Sequence, residues 1–323
     1  MNENQIKYKN FCEEVEYIPV FLEWWWIDAV TEGNWDVVFS YTKDGKEIRG
    51  ALPYYKNKIY KFFDVIQMPK QTQVMGCWLN YPKNQKLTSK YAFEKDVMSE
   101  LIEKLPNNDY FMQRFHYSIA NWLPFYWKGF KQTTQVTYVL DNLSNLEQVY
   151  NNFRSNIKTD IKKAQKILKI TSEEDIEKFY KINTLTFQRQ NIKPKYSLEF
   201  LKRLHKEIQK REQGKMYFAI DKSENIHAAI YVVWDKQSAY YMWGGGNPEY
   251  RNSGAHSLLM WQAIQDCSRF VDRFDFEGSM IEPVERFFRA FGAKQVYYNK
   301  IYKFNNKFLE LFNLLKEWKN EKS

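Results

Sequence analysis

Cysteine is nearly absent: the 323 residues hold three, Cys12, Cys77 and Cys267, far apart and outside any CxxC spacing. Such a set builds neither a disulfide framework nor a zinc site, and it points to a reducing, cytoplasmic setting. Histidine is scarce too, with His116, His205, His227 and His256 scattered and no HxxxH, so no metal centre is expected. No run approaches the roughly 18 apolar residues of a membrane span, and the opening MNENQIKYKN lacks the apolar core of a signal peptide. The chain therefore reads as soluble, with no integral membrane segment. GxSxG, the P-loop and GxGxxG are missing from every strand-to-helix junction, which argues against an α/β hydrolase, a P-loop kinase and a dinucleotide oxidoreductase.

Acids are in the minority. The chain has 48 Lys and Arg against 39 Asp and Glu, a net charge of +9, which biases the surface toward phosphate, nucleic acid or acidic lipid without choosing among them. Aromatic residues are plentiful at 18%, and 44% apolar content over this length predicts two domains of about 150 residues. Trp24, Trp25 and Trp26 stand in PVFLEWWWIDAV, where an interfacial anchor and ordinary helix packing both fit. The flanks lack the Lys and Arg face of an interfacial helix, so packing is the expectation.

A repeat runs through the chain. WDVVFSYTKDGKEIRGALPYY (35 to 55) reads as a hairpin, because Asp44-Gly45 supplies the positive φ of a tight turn. MYFAIDKSENIHAAIYVVW (216 to 234) repeats the pattern one domain length later. Each hairpin is followed by a strand, a helix, a strand, a short helix and a strand: IYKFFDVIQM to TTQVTYVL in the first half, SAYYMWGGG to QVYYNKIYKF in the second. The expected fold is α/β (α+β): two tandem copies, each a mixed, mostly antiparallel sheet flanked by helices, over 1–142 and 143–323. A basic linker helix over 143–168 opens the second copy, followed by helices near EEDIEKFYKINTLTFQRQ and SLEFLKRLHKEIQKREQ. Arg154, Lys158 and Lys162 are spaced i, i+4, i+8 on that linker and share one helical face.

Two stretches can carry chemistry. In YYMWGGGNPEYRNSGAHSLLMWQAI (240 to 264), Gly244, Gly245 and Gly246 let the backbone bend or approach a ligand, and Gly254 to Ser257 begin a helix whose free N–H groups form an anion site. A bulged strand end with an N-cap is the plainer account, and Arg251 beside the helix start shifts the balance toward phosphate. His256, in the same loop, either caps the helix or reacts. In FDFEGS, alternation puts Phe274 and Phe276 on one face and Asp275 and Glu277 on the other. The two acids are either solvated at a strand end or able to accept a proton from an amine.

Taken together, the element order, YYMWGGGNPEYRNSGAHSLLMWQAI, FDFEGS with VERFFRAFGAKQVYYNKIYKF, and NFRSNIKTDIKKAQK resemble the GNAT acyltransferase superfamily, and within it the tandem branch of Fem-type peptidoglycan-bridge aminoacyltransferases. The resemblance implies an N-acyltransferase with no permanently bound cofactor that takes its group from acyl-CoA, or from aminoacyl-tRNA as Fem-type relatives do. The acceptor would be an amine of a small molecule or a cell-envelope precursor. It implies a donor-side second domain and an acceptor-side first domain. Trp243, Gly244, Gly245 and Gly246 would then polarise the acyl carbonyl, and Arg251, Gly254, Ala255 and His256 would hold the donor's phosphates. Asp275 or Glu277 would orient or deprotonate the amine, and Arg154, Lys158 and Lys162 would touch phosphate. In the family pattern Q/R-x-x-G-x-G/A, Arg251 and Gly254 match and His256 replaces the second small residue. tRNA is a possible partner and DNA is not. A non-catalytic binding module on a degenerate GNAT fold is the third possibility.

Overall fold

The computed structural model describes residues 1–189, 192–194, 196–278 and 280–320. Gln190, at the end of one expected helix, and Ser279, in the Gly-Ser after the two acids, lie outside them. The chain forms two compact units, Met1–Gln135 together with the chain from Tyr297 on, and Val136–Val296.

The first unit opens with α1 (Glu3–Glu14), started by a capping box in which Asn2 and Gln5 satisfy each other's backbone N–H at 2.8 and 2.7 Å. Helix α2 (Trp24–Thr31) buries two of the three tryptophans as expected of packing, Trp25 and Trp26 only 3% and 0% exposed, while Trp24 is half-buried. Strands β1 (Asp36–Tyr41) and β2 (Ile48–Ile59) form the expected hairpin, Asp36 opposite Tyr54, and Gly45 in its turn has φ +74°. Strand β3 (Phe63–Gln67) continues the antiparallel run, and the short β4 (Trp78–Leu79) pairs with β2. Helix α3 (Leu87–Glu103), β5 (Tyr110–Arg114) parallel to β3, α4 (Leu123–Trp127) and β6 (Lys131–Asp141) follow.

The second unit repeats this order behind its linker. Helices α5 (Leu146–Asn151) and α6 (Ser155–Ala164) lead to β7 (Lys169–Thr171), α7 (Ile176–Arg189) and α8 (Leu198–Gln209). Strands β8 (Gly214–Ile220), β9 (Ile226–Trp234) and β10 (Ser238–Gly246) form an antiparallel meander. Helix α9 (Ala255–Cys267), β11 (Arg273–Asp275) parallel to β10, α10 (Glu282–Arg289) and β12 (Lys294–Phe304) complete the copy, and α11 (Lys307–Asn320) follows. The two hairpins thus hold equivalent places, each leading to a strand with a parallel neighbour across a helix. Both units are mostly antiparallel α/β sheets flanked by helices.

The last strand of each copy pairs outside it. Val139–Asp141 of β6 pair antiparallel with β11 in the second unit, and Lys300–Phe304 of β12 pair with β5 in the first. The second unit accordingly ends at Val296 instead of at the chain terminus expected from 143–323, and the first begins to leave at Gln135 instead of 142. A strand's own pattern specifies its faces but not its neighbour, which is why a cut after residue 142 looked natural.

Phe274 and Phe276 lie where alternation put them, fully buried with ring centroids 5.2 Å apart, in a core with Phe288 and Phe291. Asp275, on the other face, is buried as well. Its carboxylate accepts from the Thr137 hydroxyl of β6 and from the Glu277 amide at 2.8 Å, and burial pushes its pKa up to about 6. The three cysteines are buried free thiols, and burial pushes Cys77 and Cys267 up to about 12.

Two stability outcomes follow. Phe276→Ala removes a ring that Phe274, Phe288 and Phe291 enclose and should cost about 3–5 kcal/mol in denaturant unfolding. Because Asp275 binds its proton more tightly folded than unfolded, its contribution is present below about pH 4 and lost as pH rises through about 6, a fall of about 3 kcal/mol. Asp275→Asn keeps both hydrogen-bond acceptor contacts, so it should flatten the stability profile between those pH values and leave stability at pH 4 nearly unchanged.

Candidate functional site

Strands β10 and β11 run parallel and are paired only over Ser238–Tyr240 and Arg273–Asp275. Beyond that, β11 stops while β10 runs on to Gly246, so the two diverge and a fork opens. Phe288 of α10 sits at it, its ring 5.7 Å from Tyr241 on one prong and 5.4 Å from Phe276 on the other. On β10 the register with β9 slips between Tyr241 and Trp243, leaving Met242 as the extra residue of a bulge. A bulge disrupts the ladder locally and re-aims backbone groups, which makes Met242–Trp243 the place on this strand where an amide can turn to a ligand. Trp243 itself is buried against Tyr231 at 5.4 Å.

Of the three glycines that follow, Gly244 and Gly245 have separate reasons to lack a side chain, while a Cβ on Gly246 would make only ordinary contacts. A Cβ on Gly245 would stand 2.3 Å from the Asn183 backbone, so helix α7 takes the space that Gly245 leaves. Asn183 also donates to the Gly244 carbonyl at 2.8 Å, and the Gly246 amide reaches the Thr186 hydroxyl at 3.3 Å. A Cβ on Gly244 would meet the Tyr241 hydroxyl at 1.9 Å and His256 Nε2 at 2.9 Å. Gly254, with φ +79°, caps α9 in the left-handed region, and a Cβ there would strike the Asp160 carbonyl of α6 at 2.3 Å. Its freedom lets two helices meet, so a larger residue at Gly254 would disturb folding as well as any ligand.

Around the start of α9 lies a cavity of about 360 Å³. It gathers Gly246, Arg251, Gly254, Ala255 and His256 of the expected donor residues, while Trp243, Gly244, Gly245, Asp275 and Glu277 do not line it. The N–H groups of the first turn of α9 lack intrahelical acceptors and carry the positive end of the helix dipole. His256 lies over the strand, its ring 3.6 Å from a Cβ position on Gly246 and Nε2 3.5 Å from the Tyr241 hydroxyl. Burial lowers its pKa to about 4, so the imidazole is neutral at physiological pH. It does not cap the helix.

Several residues of this wall carried no signal in the sequence. His227 is 7% exposed, stacks on Tyr250 at 4.0 Å and 8°, and bonds Asp221 through Nε2 at 3.2 Å. Thr186 of α7, Asp160 of α6 and Phe287 of α10 also line the cavity. Only the fold brings these helices together, and no local pattern marks them.

Phe287 also borders a second depression of about 410 Å³ with Arg154, Ser155, Asn156 and Arg286. Arg154, expected to touch phosphate, thus gains Arg286 as an exposed neighbour that the sequence did not single out. The linker, expected as one helix over 143–168, is two helices, with Arg154 at the N-cap of α6 and so off the helical face expected of it, and the other two cations are spread out. Lys158 donates to the Asn151 carbonyl at 2.8 Å, Lys162 is exposed, and the adjacent Lys163 reaches the Asn252 carbonyl at 2.6 Å.

The acid pair divides at the fork. Asp275 is interior, and its bond to the Glu277 amide holds Glu277 in the left-handed region at φ +61°, followed by Gly278 at +47°. A Cβ on Gly278 would stand 2.1 Å from the Val136 carbonyl, so this turn is pressed against β6. Glu277 itself is half-buried at the strand end.

Residues 151–289 match the family profile of the acetyltransferase (GNAT) domain. No curated protein matches the chain by sequence. Among solved structures the chain resembles FemX, at 9% identity and a TM-score of 0.65 over 93% of this chain and 96% of FemX. It also resembles L-PGS from Bacillus licheniformis, at 10% identity and a TM-score of 0.55 over 97% and 96% of the two chains. A third likeness is to the C-terminal domain of an Agrobacterium fabrum protein described as a lysylphosphatidylglycerol synthetase, at 11% identity and 0.54 over 94% and 92%. The forked strands, the bulge and the helix start behind them lie within residues 151–289, the segment that matches the GNAT acetyltransferase domain, and the chain as a whole shares the fold of FemX.

Proposed function

We propose that the protein is an N-acyltransferase that draws an acyl group from a phosphate-bearing carrier, acyl-CoA in the first place, and delivers it to an amine of a small molecule or cell-envelope precursor. The observation that carries this is the continuity of the donor side. Phe287 borders both the cavity at the start of α9 and the depression beside Arg154 and Arg286. A carrier seated there would place phosphates against the α9 N-terminus and Arg251, more charge against the two arginines, and its acyl carbonyl toward the Met242–Trp243 bulge. Glu277, at the tip of the other prong, would take the proton from the acceptor amine, with Asp275 a positioning residue that fixes the Glu277 backbone.

His256 favours a second donor. Its ring fills room over Gly244 and Gly246 that a small residue would leave to a pyrophosphate. Aminoacyl-tRNA, whose 3′ end is joined by phosphodiesters and has no pyrophosphate, would use the exposed Arg154 and Lys162 and the half-buried Lys158 for its backbone. The name lysylphosphatidylglycerol synthetase, borne by one structural relative, supports an aminoacyl group and a lipid acceptor as members of the same class of reaction. No metal is required by either route.

Thermal-shift titration with acetyl-CoA, longer acyl-CoAs and charged tRNA separates the donors, since a ligand at 100 times its Kd adds about 2.7 kcal/mol of stability. Stabilisation by acyl-CoA is the expected result, stabilisation by charged tRNA alone selects the second donor, and silence from all of them would remove the donor assignment. Arg251→Ala should weaken the stabilising donor by about 1.5–3 kcal/mol if it makes a charge-assisted hydrogen bond to phosphate. An unchanged Kd would take Arg251 out of the site.

Glu277→Gln should lower turnover by about 10² to 10⁴ and leave donor affinity unchanged, as for loss of a general base. Normal turnover at saturating acceptor would mean that Glu277 only shapes the turn.

A further inference from the structure

The first unit carries a surface that the donor site does not explain. On α11, Phe308, Leu311, Phe312 and Leu315 recur at i, i+3, i+4 and i+7, the spacing of a face that meets a core. Here that face is open. Phe308 is 82% exposed and the other three are half exposed or more, while Leu309, 4% exposed, anchors the helix.

The tip of the β2–β3 hairpin stands beside it. Tyr60 and Lys61 both adopt positive φ, +50° and +64°, which closes the hairpin tightly and leaves Phe62 82% exposed at its end. The Tyr60 ring packs edge-on against Phe312 at 5.4 Å, joining the hairpin tip to the helix stripe. Between them runs an apolar groove of about 430 Å³. An exposed apolar patch built from two elements in this way marks an interaction surface.

Charge says what kind. The hairpin tip and the chain around the start of α11 contribute Lys56, Lys58, Lys61 and Lys307 against the acids Asp64, Asp109 and Glu310. All three acids are engaged, Asp64 with Lys58 at 3.1 Å, Glu310 with Lys131 at 2.8 Å, and Asp109 as acceptor from the Asp64 amide and the Asn306 side chain, each at 2.9 Å. Lys61 and Lys307 have no ion pair among the described residues. The groove is therefore aromatic and aliphatic, and the elements that form it carry more lysine than acid. A second copy of the chain meeting this face across a two-fold axis would set the same lysine excess against itself. An acidic lipid surface complements both parts, apolar side chains entering the acyl boundary and ammonium groups meeting anionic headgroups.

We propose that this face docks the protein on an anionic bilayer surface, with Phe62 and the Phe308–Leu315 stripe entering the headgroup region. Among the described residues no helix is long and apolar enough to cross a membrane, so the attachment is peripheral and reversible. It is independent of the donor's identity.

The test is co-sedimentation of the full chain with vesicles of phosphatidylglycerol and phosphatidylcholine, against vesicles of phosphatidylcholine alone. Binding to the anionic vesicles is expected, weakening as salt is added. The double variant Phe62→Ser, Phe308→Ser changes two exposed side chains and should lower the partition by about tenfold or more. Lys61→Glu with Lys307→Glu leaves the apolar groove intact and should abolish the preference for anionic lipid, which keeps the test decisive should the first variant misfold. Equal binding of wild type to both vesicles, or equal binding of wild type and both variants to anionic vesicles, would overturn the proposal. So would a wild-type dimer in light scattering that the Phe variant turns into a monomer, because a second copy would then be the occupant.

Discussion

Three residue pairs of parallel strand decide the second unit. Ser238–Tyr240 and Arg273–Asp275 are held in register, after which β11 ends and β10 continues alone. Everything else at the site compensates for or exploits that divergence. Phe288 occupies the fork between Tyr241 and Phe276, the bulge at Met242 turns the strand's backbone, and α7 supplies further partners to Gly244 and Gly246, which pair with β9 but lie beyond the end of β11. Buried backbone polar groups must find partners, so a strand cannot lose its neighbour in the interior without such replacements.

The hairpins and the order of elements were legible because their signals are local. A positive-φ turn at Gly45 and a polar turn between β8 and β9 close between adjacent apolar runs, and the helices that follow show their own periodicity. Pairing across the chain was not legible. β6 and β12 read as the closing strands of their own copies, and hydrogen bonding gives part of each to the other unit's sheet. Helix α11 escaped notice for a different reason: its stripe is the pattern of a core-facing helix, and only exposure shows that the core is missing.

The loop singled out in the sequence lines a cavity, and some of its glycines have reasons other than a ligand. Glycine announces that something comes close to the backbone, without saying what. At Gly245 it is the Asn183 backbone and at Gly254 the Asp160 carbonyl, so two of the glycines taken for ligand approach serve helix packing. Arg251, Gly254, Ala255 and His256 nonetheless gather around one cavity, because their spacing on a strand-to-helix loop is fixed by the loop itself. His227, Thr186, Asp160 and Phe287 come from four other elements, and that convergence is tertiary.

Asp275 shows how the core and the fork are coupled. Burying a carboxylate is costly, and a hydrophobic residue would pack at that position without the penalty. The acid makes two contacts that an apolar side chain could not: it accepts from Thr137 on β6, tying the strand end to its neighbour, and from the Glu277 amide, stabilising a left-handed backbone that a residue with a Cβ adopts only when held. With Gly278 pressed against the Val136 carbonyl, the chain has no slack to relax that turn. The position of the Glu277 side chain at the fork is therefore set from inside the core, and the cost of the buried acid is borne where the strand must stop.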